Sequence, residues 1–230
     1  MSFQPHDSGN IVAAWNEDLV SIRSWSFENG LLLNPDKTKL IVYGSRQMTA
    51  KIPEFCLTLL GKDLEPSEII KDLGVIFDNN LTFNEHIIKT VSSCMSTLGQ
   101  VGHVKHAFRK DILIMIINSS VFSKLYYCSS VWANTTDTNI KRLQGIQNYA
   151  ARIVCNIRKY DYVSRALKSS KSIPVKSRLY LRDAVMAFKC MTGLSPEYLS
   201  NKFISRGSLS GRAIRNSQKI NIPLCKSATG

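Results

Sequence analysis

Two segments in the first half of the chain constrain its fold more than any other part of the sequence: residues 25–45 and residues 71–87. In the first, Asn29-Gly30 predicts the end of a helix, because glycine readily adopts the left-handed conformation that follows a helix C-terminus. The turn-forming sequence Asn34-Pro35-Asp36 then precedes a strand predicted over residues 38–43. This segment is therefore predicted to be a helix end, a turn and a strand.

The second segment combines a β-branched run with the start of a helix. The run is broken at Gly74 and reads as a strand over residues 69–77, and Asp78-Asn79-Asn80 supplies turn chemistry. Thr82 and Glu85 then stand at the spacing of a capping box, in which the side chain of each residue hydrogen-bonds the backbone N–H of the other. The sequence therefore predicts that a helix begins here.

The spacing of apolar residues makes the first part of the chain a mixture of helix and strands. A helical stripe covers residues 11–29, residues 47–53 read as a loop, and Leu60-Gly61-Lys62 is predicted to be a tight hairpin connection. We expect the strands to form a small antiparallel sheet with the first helix against one face. The strands are predicted at residues 31–33, 38–43, 55–60, 62–64 and 69–77.

The second part of the chain has the apolar periodicity of helices. Residues 109–127 are apolar nearly all round, which predicts a central, buried helix. Two further helices are predicted over residues 138–157 and 175–192, joined by a basic, serine-rich link at 164–177 that we expect to be a mobile contact segment. Together the two parts predict an α+β fold.

The last of these helices is expected to have an apolar face and a basic face. Its apolar residues Leu181, Val185 and Phe188 are predicted to point inward, and its basic residues outward. This arrangement would leave the cations of the helix available to a partner.

Charge is divided unequally along the chain. Residues 1–90 carry 8 Lys and Arg against 12 Asp and Glu, whereas residues 91–230 carry 22 against 5, within a total net charge of +13. Such an asymmetry points to a polyanionic partner for the second part. The alternative is a dispersed, solvated basic surface.

The basic residues are concentrated on two predicted helices and in the link between them. Lys and Arg side chains that neutralise phosphates release counterions, which gives an affinity that is independent of sequence and sensitive to salt. Tyr149, Tyr160, Tyr162 and Tyr180 lie among them and are able to stack on unpaired bases; for Tyr149 and Tyr180, packing between helices is the alternative. The predicted nucleic-acid-binding residues of this part are Lys141, Arg142, Arg152, Arg158, Arg165, Lys168, Lys176, Arg178 and Arg182.

The sequence also predicts where the protein resides. It has no run of 18 apolar residues, and its N-terminus lacks the basic region and apolar core of a signal peptide. The six cysteines form no Cys-x-x-Cys pair, which favours reduced thiols over a zinc site. We expect an intracellular protein of the nucleus or cytoplasm without membrane contact, and the sequence leaves its oligomeric state open.

The order of these elements, with these residues, resembles the end of the polymerase palm in reverse transcriptases of LINE-type (non-LTR, jockey-like) retrotransposons. In that family a Trp-containing helix leads to a GL-x-LN-x-x-KT segment, matched here by Gly30-Leu31, Leu33-Asn34 and Lys37-Thr38. A primer-grip segment and a helical thumb follow in the family. The primer-grip segment is matched by Lys71, Leu73-Gly74-Val75, Asp78, Leu81, Phe83 and His86-Ile87, and a later match is LQGIQNYAARIV at residues 143–154.

The resemblance implies a domain organisation and two functional positions. It implies a partial palm over residues 1–83, a helical thumb and post-thumb region over 84–204, and a loosely ordered basic tail over 205–230. Lys37 matches the lysine thought to protonate the departing pyrophosphate; the alternative is an exposed turn residue. Gly74 lies in the hairpin that grips the primer, where glycine allows close approach of a nucleic-acid strand; packing of its neighbours is the alternative reading.

The resemblance also shows what this chain lacks. Polymerases of the family hold two magnesium ions on an adjacent pair of aspartates and a third aspartate, and this chain has no Asp-Asp dipeptide. We therefore expect a fragment of an RNA-directed DNA polymerase with no catalytic residue, metal site or cofactor of its own. It would at most bind RNA or an RNA–DNA duplex. The alternative is a basic helical interaction module, or an orphan product without a nucleic-acid role.

Overall fold

The computed structural model describes residues 8–52, 55–158, 160–169, 172–209, 215–217 and 219–221. The chain divides into two units, Met1–Lys89 and Thr90–Gly230. The first combines helices with short antiparallel strands, and the described part of the second is helical apart from one isolated bridge. The architecture is therefore α+β, as the sequence predicts.

The first unit begins with a long helix whose end is set by a glycine. Helix α1 spans Ser8–Glu28, and Gly30 follows with a φ of 69°. The N–H of Leu31 donates to the carbonyl of Ser26 over 2.8 Å, and the N–H of Gly30 donates to that of Phe27 over 3.0 Å. These are the two bonds of a Schellman motif, so the predicted helix end is confirmed.

Helix α2 (Arg46–Thr49) lies in the segment predicted to be a loop. The hydroxyl of Ser45 accepts a hydrogen bond from the N–H of Met48 and so caps the helix. The loop prediction for residues 47–53 is wrong for residues 47–49, because a single turn of helix has too few residues to show an apolar period; residues 50–52 form no helix or strand, and residue 53 lies outside the described residues.

The strands form two separate two-stranded antiparallel sheets rather than the single sheet expected. Strand β1 (Leu57–Leu59) pairs with β2 (Lys62–Leu64), and β3 (Ile69–Asp72) pairs with β4 (Val75–Asp78). The strand predicted over residues 69–77 is thus two strands joined by a turn.

Both hairpins turn on the same dipeptide, Leu-Gly. The φ angles are 52° and 77° at Leu60 and Gly61, and 43° and 87° at Leu73 and Gly74. A two-residue turn with positive φ at both positions matches the right-handed twist of its strands. The predicted hairpin at Leu60-Gly61 is confirmed, and Gly74 has the same role in the second hairpin.

The remaining strand predictions, at residues 31–33 and 38–43, are wrong within the described part of the chain. There the backbone makes only an isolated parallel bridge between Leu40 and Pro66. Local apolar sequence was present in these segments, but no neighbouring strand pairs with them.

The core of the first unit lies between α1 and the first hairpin. Leu57, Leu59 and Leu64 are buried there, and partly buried residues of α1 pack against them. The N–H of Thr58 also donates to the side-chain oxygen of Asn16 over 3.1 Å. The expectation that the first helix covers one face of the strands is confirmed for this hairpin.

The turn from β4 into helix α3 (Asn84–Val104) is held by one carboxylate. Asp78 accepts hydrogen bonds from the N–H and hydroxyl of Thr82 at 2.9 and 3.0 Å, and from the N–H of Phe83 at 2.7 Å. Leu81 and Phe83 have φ angles of 53° and 57°, which are unfavourable for residues with bulky side chains. The Asp78 carboxylate therefore stabilises a strained turn.

This arrangement corrects the predicted capping box. The backbone N–H of Thr82, which a capping box would give to Glu85, donates to Asp78 instead. The hydroxyl of Thr82 accepts from the N–H of Asn84 over 3.4 Å. The helix start was predicted correctly, but its main acceptor comes from the preceding strand.

His86 fixes the same junction from the helix side. Its side chain is buried, and its Nδ1 accepts a hydrogen bond from the N–H of Ile76 on β4 over 3.4 Å. Burial lowers the pKa of His86 below its ordinary value. The neutral imidazole is therefore part of the folded first unit.

The second unit is built from helices, and Trp132 is one of its fully buried side chains. The ring of Trp132 is buried, and its Nε1 donates to the carbonyl of Tyr127 over 2.8 Å. Its helices, with α3 entering from the first unit, are α4 (Lys110–Ile117), α5 (Ser123–Leu125), α6 (Ser129–Trp132), α7 (Asp137–Cys155), α8 (Ser164–Ser169), α9 (Val175–Met191), α10 (Glu197–Ser200) and α11 (Arg206–Leu209). The predicted helices at 138–157 and 175–192 correspond to α7 and α9.

The single helix predicted over residues 109–127 is interrupted by a π-helical turn at Asn118–Phe122, which joins α4 to α5. The hydroxyls of Ser119 and Ser120 both donate to the carbonyl of Ile116, over 3.1 and 2.6 Å. Serine hydroxyls that bond the preceding turn compete with the helical backbone pattern. The serines in this apolar helix therefore coincide with its change of pitch.

In the C-terminal part, Ser205 and Ile220 form an antiparallel bridge, and the N–H of Arg206 donates to the carbonyl of Lys219 over 2.8 Å. Lys219 and Ile220 lie in a segment whose sequence, over residues 219–223, predicts a possible strand; residues 222 and 223 lie outside the described residues. The expectation of a loosely ordered tail at 205–230 stays a prediction.

Replacing Asp78 with Ala should destabilise the first unit, because the N–H groups of Thr82 and Phe83 lose their acceptor. We expect the free energy of unfolding to fall by about 1–3 kcal/mol in a urea titration. Asp72→Ala, an exposed position in the same hairpin, is the matched control and should change it by less than about 0.5 kcal/mol. Equal effects of the two substitutions would contradict the role given to Asp78.

His86 should make stability depend on pH. Because its pKa is lowered by folding, the unfolded state binds more protons than the folded state once the pH falls below about 6.5. Stability is then complete above that pH and decreases as the pH falls from about 6.5 towards the lowered pKa. His86→Asn keeps a hydrogen-bond acceptor but does not titrate, so its melting temperature should fall less between pH 7 and pH 5 than that of the unchanged chain. Parallel pH profiles would refute the interpretation.

Candidate nucleic-acid interface

The predicted basic residues of the second unit lie on three helices that pack together. Helix α7 contacts both α8 and α9. Lys141, Arg142 and Arg152 are on α7, Arg158 follows it, Arg165 and Lys168 are on α8, and Lys176, Arg178 and Arg182 are on α9. Packing brings these cations into one unit but gives them different surroundings.

Of the five predicted cations on α7 and α8, three have side chains that make no hydrogen bond or ion pair within the described part of the chain. Lys141, Arg165 and Lys168 are exposed, and none has an ion pair with a carboxylate in the described part of the chain. These cations are therefore available to an anionic partner without loss of an existing contact.

Other cations make contacts within the unit. The Nζ of Lys176 lies 3.2 Å from the carboxylate of Asp137, and this hydrogen bond and the negative charge raise the pKa of Lys176. Arg142 donates to the side-chain oxygen of Asn139 over 3.0 Å. Arg152 donates to the backbone carbonyl of Arg158. Since the Lys176–Asp137 pair is exposed, it contributes little stability and is easily exchanged for another anion.

The two arginines of α9 are exposed, as predicted, but they also contact Tyr126. The guanidinium of Arg178 lies 4.7 Å from the centroid of the Tyr126 ring, and Arg182 donates to the carbonyl of Tyr126 over 2.6 Å. Tyr126 itself is buried, and its pKa is raised by that burial. The basic face of α9 thus contacts the segment after α5 instead of pointing only to solvent.

The apolar face of α9 is correspondingly turned outward. Leu181, Val185 and Phe188 are 51%, 46% and 61% exposed, whereas Val175 and Leu179 are buried. The predicted inward direction of the first three residues is therefore wrong. Helix α9 has apolar residues on more than one side, and the side that packs inward is the one that carries Val175 and Leu179.

Two glutamines of α7 hold the link between α8 and α9. The buried side chain of Gln147 donates to the hydroxyl of Ser172 over 2.9 Å and to the carbonyl of Ile173 over 2.8 Å. Gln144 accepts from the N–H of Val175 over 2.9 Å and donates to Gln147 over 2.8 Å. We call these four bonds the glutamine clamp.

The glutamine clamp corrects the prediction of a mobile segment at residues 164–177. Residues Ser164–Ser169 form helix α8, and the described residues after it are bound to α7. The sequence signal for this contact is the pair of glutamines in LQGIQ, Gln144 and Gln147, which lie three residues apart on α7. The apolar periodicity of the helix does not account for these two polar side chains.

The two predicted positions in the first unit have local structural roles. Lys37 is exposed in a turn where the side-chain oxygen of Asn34 accepts from the N–H of Asp36 over 2.9 Å. Lys62 lies 2.5 Å from the carboxylate of Asp36, and this contact holds the pKa of Asp36 below its ordinary value. Gly74 is in the hairpin turn beside Leu73, which is 82% exposed. The transfer of a proton by Lys37 and the binding of a strand at Gly74 stay predictions.

The described residues contain no group of three His, Cys, Asp or Glu side chains that would hold a metal ion. Among the described helices, none has the length and apolar character needed to cross a membrane.

Comparison of the chain with known protein families, with curated proteins and with solved structures found no match.

Proposed function

We propose that the second unit binds RNA or an RNA–DNA duplex through its basic helices, and that the chain is a fragment of a LINE-type reverse transcriptase without polymerase activity. The palm and thumb assignments of residues 1–83 and 84–204 belong to the same proposal. Its support is the order of the sequence matches, the positive charge of residues 91–230, and the availability of cations on α7 and α8.

The observation that carries the proposal is the surface between α7 and α8. Arg165 and Lys168 are exposed on α8, and Tyr160 and Tyr162 in the preceding loop are 90% and 92% exposed. Cations neutralise the phosphates of a strand, and aromatic rings stack on its unpaired bases. A loop that presents two tyrosines beside these cations therefore suits single-stranded RNA.

A second candidate function is favoured by α9. Its exposed Leu181, Val185 and Phe188 form an apolar patch, which is typical of a surface that contacts another protein. In this alternative the patch would bind another protein, and that binding would not depend on RNA.

The primary test is a salt titration of binding. A fluorescent single-stranded RNA should lose affinity for the full chain with rising salt, with a log–log slope of about −0.7 per phosphate contacted. The triple variant Lys141→Ala, Arg165→Ala, Lys168→Ala should bind more weakly, and its slope should be smaller by about 2. Anisotropy at several salt concentrations measures both quantities.

The matched control removes the same charge from the first unit, as Lys39→Ala, Lys51→Ala, Lys89→Ala. This control should change the slope much less, because these lysines lie outside the proposed surface. Absence of salt-dependent binding, or equal losses in the two triple variants, would contradict the proposal and favour the protein-interaction alternative.

The proposed lack of polymerase activity has its own test. Primer extension on an RNA template with magnesium and deoxynucleotides should give no product above a blank without protein, because the chain has no Asp-Asp pair to hold the catalytic ions. Incorporation that rises with protein concentration and survives repurification would show that the acids are supplied elsewhere in these 230 residues.

A further inference from the structure

A cleft with two lobes lies between the π-helical turn and α9. One lobe, of about 470 Å³, is lined mainly by residues with polar or charged side chains, among them Asn118, Tyr126, Arg178 and Arg182. The other, of about 340 Å³, is lined mainly by apolar side chains, among them those of Ile114, Val154 and Leu181. Asn118, Phe122 and Arg178 line both lobes, so the lobes adjoin.

The two arginines are held in place at the polar lobe. Arg178 stacks on the ring of Tyr126, and Arg182 is anchored on the carbonyl of the same residue. A guanidinium group has five N–H donors, so these contacts orient each group and leave donors for a ligand. In the described part of the chain, neither arginine forms an ion pair with a carboxylate.

The spacing of the two arginines on α9 also favours binding of an anion at the polar lobe. Arg178 and Arg182 are four residues apart on α9 and therefore lie on one side of the helix, where two like charges repel each other. A phosphate bound between them would relieve this repulsion and accept hydrogen bonds from both guanidinium groups. The chemistry of the polar lobe is thus that of a phosphate site.

The apolar lobe determines what else the ligand carries. Its mostly apolar lining, with the polar side chains of Asn118 and Gln147 at its wall, suits a weakly polar group such as an aromatic base, and both lobes fall in the size range of small-molecule sites. The cleft is also formed by a π-helical turn, a feature frequent at functional sites. A phosphate joined to a planar ring is the chemistry of a nucleotide.

We propose that this cleft binds one unpaired nucleotide of an RNA strand, with its phosphate on Arg178 and Arg182 and its base in the apolar lobe. The inference rests on the proposed function and deepens it. The exposed cations of α7 and α8 bind any phosphate backbone, whereas the cleft requires a base that is free to leave its stack. Single-stranded RNA is therefore the preferred partner, and a fully paired duplex uses only the outer cations.

The test compares two variants on two nucleic acids, using the full chain. Arg178→Gln combined with Arg182→Gln removes the charge of the polar lobe, and Val154→Phe fills the apolar lobe without changing charge. Each should weaken binding of a single-stranded RNA about tenfold or more, and binding of a blunt RNA–DNA duplex less than about threefold. Circular dichroism and thermal melting establish that each variant is folded.

Competition with a mononucleotide tests whether the cleft recognises a base as well as a phosphate. Adenosine monophosphate should compete with single-stranded RNA for the unchanged chain at lower concentration than inorganic phosphate, and Val154→Phe should abolish that difference. Equal potency of the two competitors would show an anion site without a base pocket and would overturn the proposal.

The outcomes separate the cleft from the broader function. If both folded variants bind single strands as the unchanged chain does, or lose single strands and duplex equally, the cleft proposal is overturned while nucleic-acid binding stands. If the unchanged chain binds neither polymer at low salt, the proposed function fails and the cleft proposal fails with it.

Discussion

The glutamine clamp is the contact on which the arrangement of the second unit depends. Gln144 and Gln147 are polar side chains on the inner side of α7, and each uses the backbone that leads into α9 to satisfy its hydrogen bonds. A buried amide left without a partner costs about 1–3 kcal/mol, so the link has a strong preference for this position. Because the clamp fixes where α9 begins, it also fixes which of its residues meet Tyr126.

The packing of α9 divides the cations into two groups. Arg178 and Arg182 contact Tyr126 and line a cleft, while the side chains of Lys141, Arg165 and Lys168 on α7 and α8 make no hydrogen bond or ion pair within the described part of the chain. The same packing turns Leu181 and its apolar neighbours to the outside. The first group is suited to shape-dependent contacts, and the second to contacts with a phosphate backbone that depend only on charge.

The sequence predicts best the features that local chemistry determines. Gly30 ends α1 and Leu60-Gly61 closes a hairpin because a positive φ at these positions is a property of the dipeptide itself. The strands expected at residues 31–33 and 38–43 fail because a strand needs a neighbour, which local sequence does not specify. The sequence predicts a turn and a primer-grip match at Asp78, but it does not show that the Asp78 carboxylate accepts the backbone donors of a strained junction.

In the candidate site, too, the sequence did not predict the features that depend on contacts between distant residues. Helical periodicity located α7 and α9 and the charge along them, but it did not show which side of α9 is buried. That choice is made by contacts between residues far apart in the chain, such as Arg182 with Tyr126 and Gln144 with Val175. The break in the helix at Asn118–Phe122, which helps to form the cleft, depends on serine hydroxyls whose effect on helical pitch has no periodic signal.

Photo-crosslinking of a single-stranded RNA containing 4-thiouridine to the full chain, followed by mass spectrometry of the attached peptides, tests most directly whether the second unit is the nucleic-acid-binding part. The account predicts crosslinks at Tyr160 or Tyr162 and at residues lining the cleft, and their loss in high salt. Crosslinks confined to the first unit, or spread along the chain without preference, would contradict it.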